Sequence, residues 1–158
     1  VPVVLAPVLR AGGGTDLSGR AVRDAVLGQL LPEVSVLTPN AAEARRLAPR
    51  AATLEQAALE LLARGCGAVL ITGGDEPDAA VVNTLYRSGA APRHWHWPRL
   101  PETFHGAGCT LAAALAARLA LGAPVEQAAQ QAQAWTQRSL AQALTVGSGR
   151  RIPGRSCR

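Results

Sequence analysis

The sequence contains no lysine and no methionine, and its aromatics are limited to three Trp, one Tyr and one Phe. Without lysine there can be no P-loop lysine, no Schiff-base lysine and no Ser–Lys dyad. The shortage of aromatics argues against a stacking platform for single-stranded nucleic acid. It also leaves the core to Ala, Val and Leu. No apolar run approaches the ~18 residues of a membrane span, and the opening VPVVLAPVL has no basic flank of a secretory leader. Neither a membrane protein nor a secreted one is expected. Cysteine is scarce as well. Cys66, Cys109 and Cys157 are odd in number and widely spaced, which fits neither a disulfide framework nor a zinc site. Reduced thiols in a cytoplasmic protein are the natural reading.

What is present points to one core-forming domain: 158 residues, 48% hydrophobic and 17% charged. The net charge is +5, carried entirely by arginine on the basic side. These arginines are spread along the chain except in the closing GRRIPGRSCR, so a solvated basic surface is expected and no nucleic-acid partner. Residues 1–146 read as the folded portion and 147–158 as a flexible basic tail.

VPVVLA at residues 1–6 reads as a buried parallel strand. A Gly-rich stretch, Ala11–Thr15, follows, then a helix from Ser18 to about Leu31 that buries Leu27, Leu30 and Leu31 and stops at Pro32. Val34–Thr38 is β-rich and ends at Pro39, before a short helix over about Asn40–Leu47. Thr53 and Gln56 are spaced as a capping box that opens a helix ending near Gly65. Ala68–Thr72 reads as a strand followed by the turn GGDEPD. Ala80–Arg87 and His94–Trp97 read as two more strands. The alternation His94, Trp95, His96, Trp97 suits a half-exposed edge better than a metal or stacking site. Helices over about Gly106–Leu121 and Pro124–Leu144 close the chain. The alternation of strand and helix predicts an α/β fold with parallel strands. Because a buried-type strand comes first and there is no initiator Met, the chain is expected to be the later part of a larger domain.

Three segments after strands can carry chemistry, at the end of an α/β sheet where ligands bind. In FHGAGCT (104–110), Gly106, Ala107 and Gly108 lead directly into a helix whose first N–H groups have no intrahelical partner. The helix dipole there favours an anion, and Cys109 falls within the first turn, where the same field favours negative charge. Taken alone, Gly-Ala-Gly reads equally well as a plain tight loop and Cys109 as a small core residue. In Thr38-Pro39-Asn40 with Glu43, an amide and a carboxylate share one helical face, and the carboxylate can meet Mg²⁺ through water. Asn40 also suits a helix N-cap. In Thr72-Gly73-Gly74, glycines permit close approach by a nucleotide or simply make a turn.

Taken in order, VVLxPV, TPNxxEA, a strand ending in TGG and HGxGCT resemble the ribokinase-like superfamily. More narrowly, they resemble the hydroxymethylpyrimidine/phosphomethylpyrimidine kinases of thiamine biosynthesis, over Val1 to about Leu144. Sugar kinases of the superfamily have aspartate where this chain has Cys109, whereas the pyrimidine kinases have cysteine. The resemblance implies a three-layer sandwich on a mostly parallel sheet, without the N-terminal part that holds most pyrimidine-binding residues. It also implies transfer of phosphoryl from ATP to hydroxymethylpyrimidine and then to its monophosphate, with Mg²⁺, in a complete enzyme that is a homodimer.

By position, the N–H groups of Gly106, Ala107, Gly108 and Cys109 would form the anion hole, with Cys109 as base. Asn40 and Glu43 would organise Mg²⁺ and its waters, and Thr72 and Gly74 would line the ATP channel. Two residues depart from the family pattern. Ala6 replaces the aspartate of Asp-Pro-Val, and Thr72 stands where a lysine is usual. A non-catalytic nucleotide- or phosphate-binding remnant and a pyridoxal kinase-like enzyme are the alternatives.

Overall fold

A computed structural model describes residues 1–9 and 19–156. The Gly-rich stretch Ala11–Thr15, the expected helix start at Ser18 and Cys157 lie outside the described residues.

Five strands form one sheet in chain order: β1 (Val4–Leu5), β2 (Val36–Leu37), β3 (Val69–Ile71), β4 (Ala80–Tyr86) and β5 (Arg93–Pro98). β1, β2 and β3 pair in parallel, and the β3–β4 and β4–β5 pairs are antiparallel. Four of the five strands therefore point the same way, and only β4 is reversed. The side-chain period of two sorts the strand residues onto opposite faces. Leu37, Val69 and Ile71 face α2 (Ala41–Leu47) and α3 (Leu54–Ala63), where Leu47, Ala58 and Leu61 complete a buried cluster. Val36, Leu70 and Leu85 face α4 (Ala107–Ala120) and α5 (Val125–Ala141), where Leu111, Leu115, Ala128, Ala129 and Ala132 complete a second. The result is helix, sheet, helix: a three-layer α/β sandwich. Alanines on α5 let it pack closely on α4 and the sheet, which suits a core with few aromatics.

Three local expectations need correction. The strand at residues 1–6 is shorter: it pairs as Val4–Leu5, is half-buried and stands at the sheet edge. The helix after the Gly-rich stretch is α-helical only at Arg20–Ala25 (α1) and then passes through a π turn, Val26–Leu30, and a 3₁₀ turn, Leu31–Glu33. The wider turn, which contains Gly28, rotates the following side chains. Leu30 is consequently 49% exposed while Leu31 is fully buried. At α3 the capping box is incomplete. Thr53 Oγ1 accepts from the Gln56 N–H, but the Gln56 side chain accepts from Ala52 instead of returning to Thr53.

β5 is the edge strand that the alternation predicts. Trp95 and Trp97 are half-buried and His94 and His96 exposed. Residues 147–158, read as a flexible basic tail, carry backbone pairing in their middle. Ile152 exchanges hydrogen bonds with Leu144 at 2.8 and 3.0 Å, and Arg151 forms a parallel bridge with Phe104.

Candidate active site

The loops that follow β1, β2 and β3 meet at one end of the sheet, beyond the carboxyl ends of these parallel strands. Asn40, extended at φ −76°, caps α2. Its Oδ1 accepts from the Glu43 N–H at 2.7 Å, and Glu43 Oε2 accepts from the Asn40 N–H at 3.0 Å. This reciprocal pair is a full capping box. The Thr72 N–H donates to Pro39 O at 2.9 Å and Thr72 O accepts from Ala41 at 3.1 Å. These bonds bring Asn40, Glu43 and Thr72 together, with Gly74 two residues further on.

Glu43 Oε1 also accepts from Leu9 N–H at 3.4 Å, which draws in the loop after β1. Burial pushes the Glu43 carboxyl up from its ordinary 4.5, against the pull of the Asn40 and Leu9 N–H groups, and the nearby Asp75 charge adds to the rise. Such a group binds its proton more readily folded than unfolded. Its contribution therefore favours the folded state as pH falls through the interval between the raised folded value and the ordinary 4.5, and is lost as pH rises through it. Melting curves from pH 7 down to 4.5 should show wild type gaining stability relative to Glu43→Gln. A pH-independent difference between the two would show that Glu43 does not titrate in this way.

Other residues at this end of the sheet escape sequence reasoning. Asp75 accepts from the Ala41 and Ala42 N–H groups at 3.2 and 2.8 Å, so the N-terminus of α2 is filled by the chain's own carboxylate. Glu76 accepts from Arg45 Nη1 and Nη2, at 2.7 and 2.8 Å. Arg99, just past β5, donates to the carbonyls of Asp78, Gly74 and Glu76 at 2.8, 3.0 and 2.7 Å, and more weakly to Gly73 at 3.5 Å. The Gly73 N–H donates to Asn83 Oδ1 at 3.1 Å, and Asn83 in turn donates to Gln133 Oε1 at 2.9 Å, which also accepts from Trp97 Nε1. A Cβ on Gly73 would run into the Val82 carbonyl oxygen, so glycine is required there by close backbone approach. The only sequence signals for this network were an Asn inside a β run and a Gln on an Ala-rich helix.

The second group is built at the start of α4. Gly106 takes the left-handed conformation, φ +85°, that favours glycine, and turns the chain directly into the helix. No side chain caps α4 and its first turn holds no acidic residue. This is the opposite of α2, whose N-terminus is covered by Asp75. A Cβ on Gly108 would point into open space, and Cys109 is exposed. Cys109 and Thr110 border an open groove of ≈ 710 Å³ with Ala113, Trp135 and Arg155 among its walls. Thr110 is buried, and its Oγ1 accepts from Arg155 Nε at 3.1 Å. The structure thus assembles Asn40, Glu43, Thr72 and Gly74 as one set and Gly106, Ala107, Gly108 and Cys109 as another. Both follow strand ends: Pro98 pairs with Ala80, the first residue of β4, at the end of the sheet where β3 also finishes.

Chemically, α4 offers an uncovered row of N–H donors and a positive dipole end, suited to a phosphoryl group. Among the described residues no three His, Cys, Asp or Glu side chains converge as a metal site, and no helix is long and apolar enough to cross a membrane.

Comparison with known proteins places the chain in a family and a fold. The profile of the phosphomethylpyrimidine kinase family matches residues 1–153. A hydroxymethylpyrimidine/phosphomethylpyrimidine kinase of Escherichia coli (strain K12) is 40% identical over 155 residues, covering 93% of this chain and 58% of that protein. Among solved structures, pyridoxal kinase from Staphylococcus aureus in complex with AMP-PCP superposes with a TM-score of 0.86 at 25% identity, over 97% of this chain and 57% of that one. An ADP complex of Bacillus subtilis pyridoxal kinase gives a TM-score of 0.80 at 29% identity, over 96% and 57% respectively. The chain therefore spans about 58% of the length of the curated relative it matches.

Proposed function

The chain belongs to the phosphomethylpyrimidine kinase family, and on that premise we propose that it is the phosphate-binding portion of an ATP-dependent kinase. The acceptor is the hydroxymethyl group of hydroxymethylpyrimidine, and then its monophosphate. Its fold is the ribokinase-like sandwich, shared with the pyridoxal kinases. The observation that carries the reading is the uncapped N-terminus of α4, turned by left-handed Gly106 and bordered by exposed Cys109.

ATP supplies the phosphoryl group. The residues of this chain hold it: the N–H groups of Gly106, Ala107, Gly108 and Cys109 face the charge on the transferring phosphoryl, and the left-handed turn sets them in place before the ligand arrives. Cys109, acting as the thiolate, takes at Sγ the proton that the substrate hydroxyl loses as its oxygen bonds to phosphorus, while the bond to ADP breaks and ADP departs. Thr72 and Gly74 line the nucleotide side. For Mg²⁺ the fit is indirect. Both Glu43 oxygens and Asn40 Oδ1 already accept backbone N–H groups, and Asn40 and Glu43 would meet the ion through its waters. A cytoplasmic location and a homodimeric complete enzyme belong to the same reading, carried by the resemblance.

The test is thermal denaturation with Mg-ATP, followed by mass spectrometry of hydroxymethylpyrimidine incubated with both. Ligand at a hundred times its Kd adds about 2.7 kcal/mol, or several degrees in Tm for a domain of this size. Absence of any shift at millimolar Mg-ATP would remove the reading. Binding without a phosphorylated pyrimidine would leave the phosphate-binding remnant. The likeness to pyridoxal kinases is met by offering pyridoxal as the competing acceptor.

A further inference from the structure

We propose that Arg155 is the side-chain cation of the phosphate site at α4, carried there by a C-terminal strap. The inference rests on the phosphate-binding reading given above and adds a residue to it. The strap is a built feature. Arg151 O accepts from the His105 N–H at 2.9 Å and the Arg151 N–H donates to Thr103 O at 3.0 Å, so the segment lies directly against the residues that lead into Gly106. Arg151 is also paired with Glu102 at 3.1 Å. Ile152 is locked to Leu144, and Gly154 N–H donates to Ser139 O at 2.8 Å. Pro153 and Gly154 are buried, and a Cβ on Gly154 would meet the Gln142 carbonyl oxygen, so the chain passes α5 at a distance only glycine permits. The next residue is Arg155.

Its guanidinium is placed over the start of α4. Nε donates to Thr110 Oγ1 at 3.1 Å, and Nη2 lies 2.9 Å from where a Gly106 Cβ would be. Arg155 is exposed, and its remaining N–H groups have no carboxylate partner among the described residues. A cation at a helix N-terminus is on the unfavourable side of the dipole, so Arg155 and α4 raise each other's electrostatic cost. An anion between them removes that cost for both. Guanidinium can present paired donors to phosphate oxygens, which an ammonium cannot. In a chain without lysine, a flexible cation for this place has to be arginine.

The experiment measures Kd for Mg-ATP and for adenosine, and the unliganded Tm, in wild type, Arg155→Ala and Arg155→Lys. Expected for Arg155→Ala is a loss of about tenfold or more in Mg-ATP affinity, since a charge-assisted contact is removed. Adenosine binding and the unliganded Tm should stay near wild type, and Arg155→Lys should recover part of the loss. Mg-ATP affinity unchanged in Arg155→Ala would overturn the proposal while leaving the phosphate site standing. Equal losses for Mg-ATP and adenosine, or a large fall in unliganded Tm, would overturn it by assigning Arg155 a purely structural role. Wild type that binds no Mg-ATP would overturn the phosphate-site reading and this inference with it.

Discussion

Replacing Cys109 with alanine is expected to lower kcat by about 10²–10⁴, the usual contribution of a positioned proton acceptor, with little change in stability or in Mg-ATP affinity. Cys109 is exposed, so its loss leaves no cavity. Its backbone N–H, the donor assigned to the phosphoryl group, survives the substitution. Only the sulfur is lost. Turnover should therefore fall while the Mg-ATP shift in Tm persists, and retention of full turnover would remove Cys109 from the chemistry. Cys66 cannot take its place. It is buried, its Sγ lies 3.4 Å from Leu61 O, and burial pushes its thiol up to about 11.

Gly108→Asp should move stability and binding in opposite directions. Gly108 is the second residue of α4, where a Cβ meets nothing within 4 Å, so the side chain fits without strain. A carboxylate in the first turn of a helix gains about 0.3–1 kcal/mol from the dipole, and loss of the glycine reduces the entropy of the unfolded chain. Unliganded Tm should stay or rise slightly. The same carboxylate lies where the phosphoryl group is to bind, and like-charge juxtaposition costs several kcal/mol. The expected loss in Mg-ATP affinity is about a hundredfold, read by titration calorimetry. Unaltered affinity would place the phosphates somewhere other than the start of α4.

Local signals made much of this legible. The turn of Gly106 into a helix, the N-cap at Asn40 and the period-two burial of β5 depend on residues within three or four positions of one another. The sequence therefore displays them. The helix before β2 departs from its expected pattern because a π turn breaks the 3.6 period at Val26–Leu30: Leu31 is buried as its spacing implies, but the extra residue in the turn brings Leu30 out to solvent. Asp75, Arg99 and Arg155 were hidden for a different reason. Their partners lie 33–34, 21–26 and 45 positions away, and nothing in GGDEPD or GRRIPGRSCR distinguishes a carboxylate that caps a helix or a guanidinium that spans a loop from a solvated charge.

Arg99 also bears on how the molecule loosens. Its guanidinium holds the carbonyls of residues 73, 74, 76 and 78 from a position one residue beyond β5. An edge strand usually frays independently of loops elsewhere on the sheet. Here peeling of the end of β5 breaks the Arg99 bonds to the turn after β3, and outward movement of that turn breaks the same bonds. The two are expected to open together, with amide exchange in the β4–β5 ribbon following that of the Gly73–Asp78 turn.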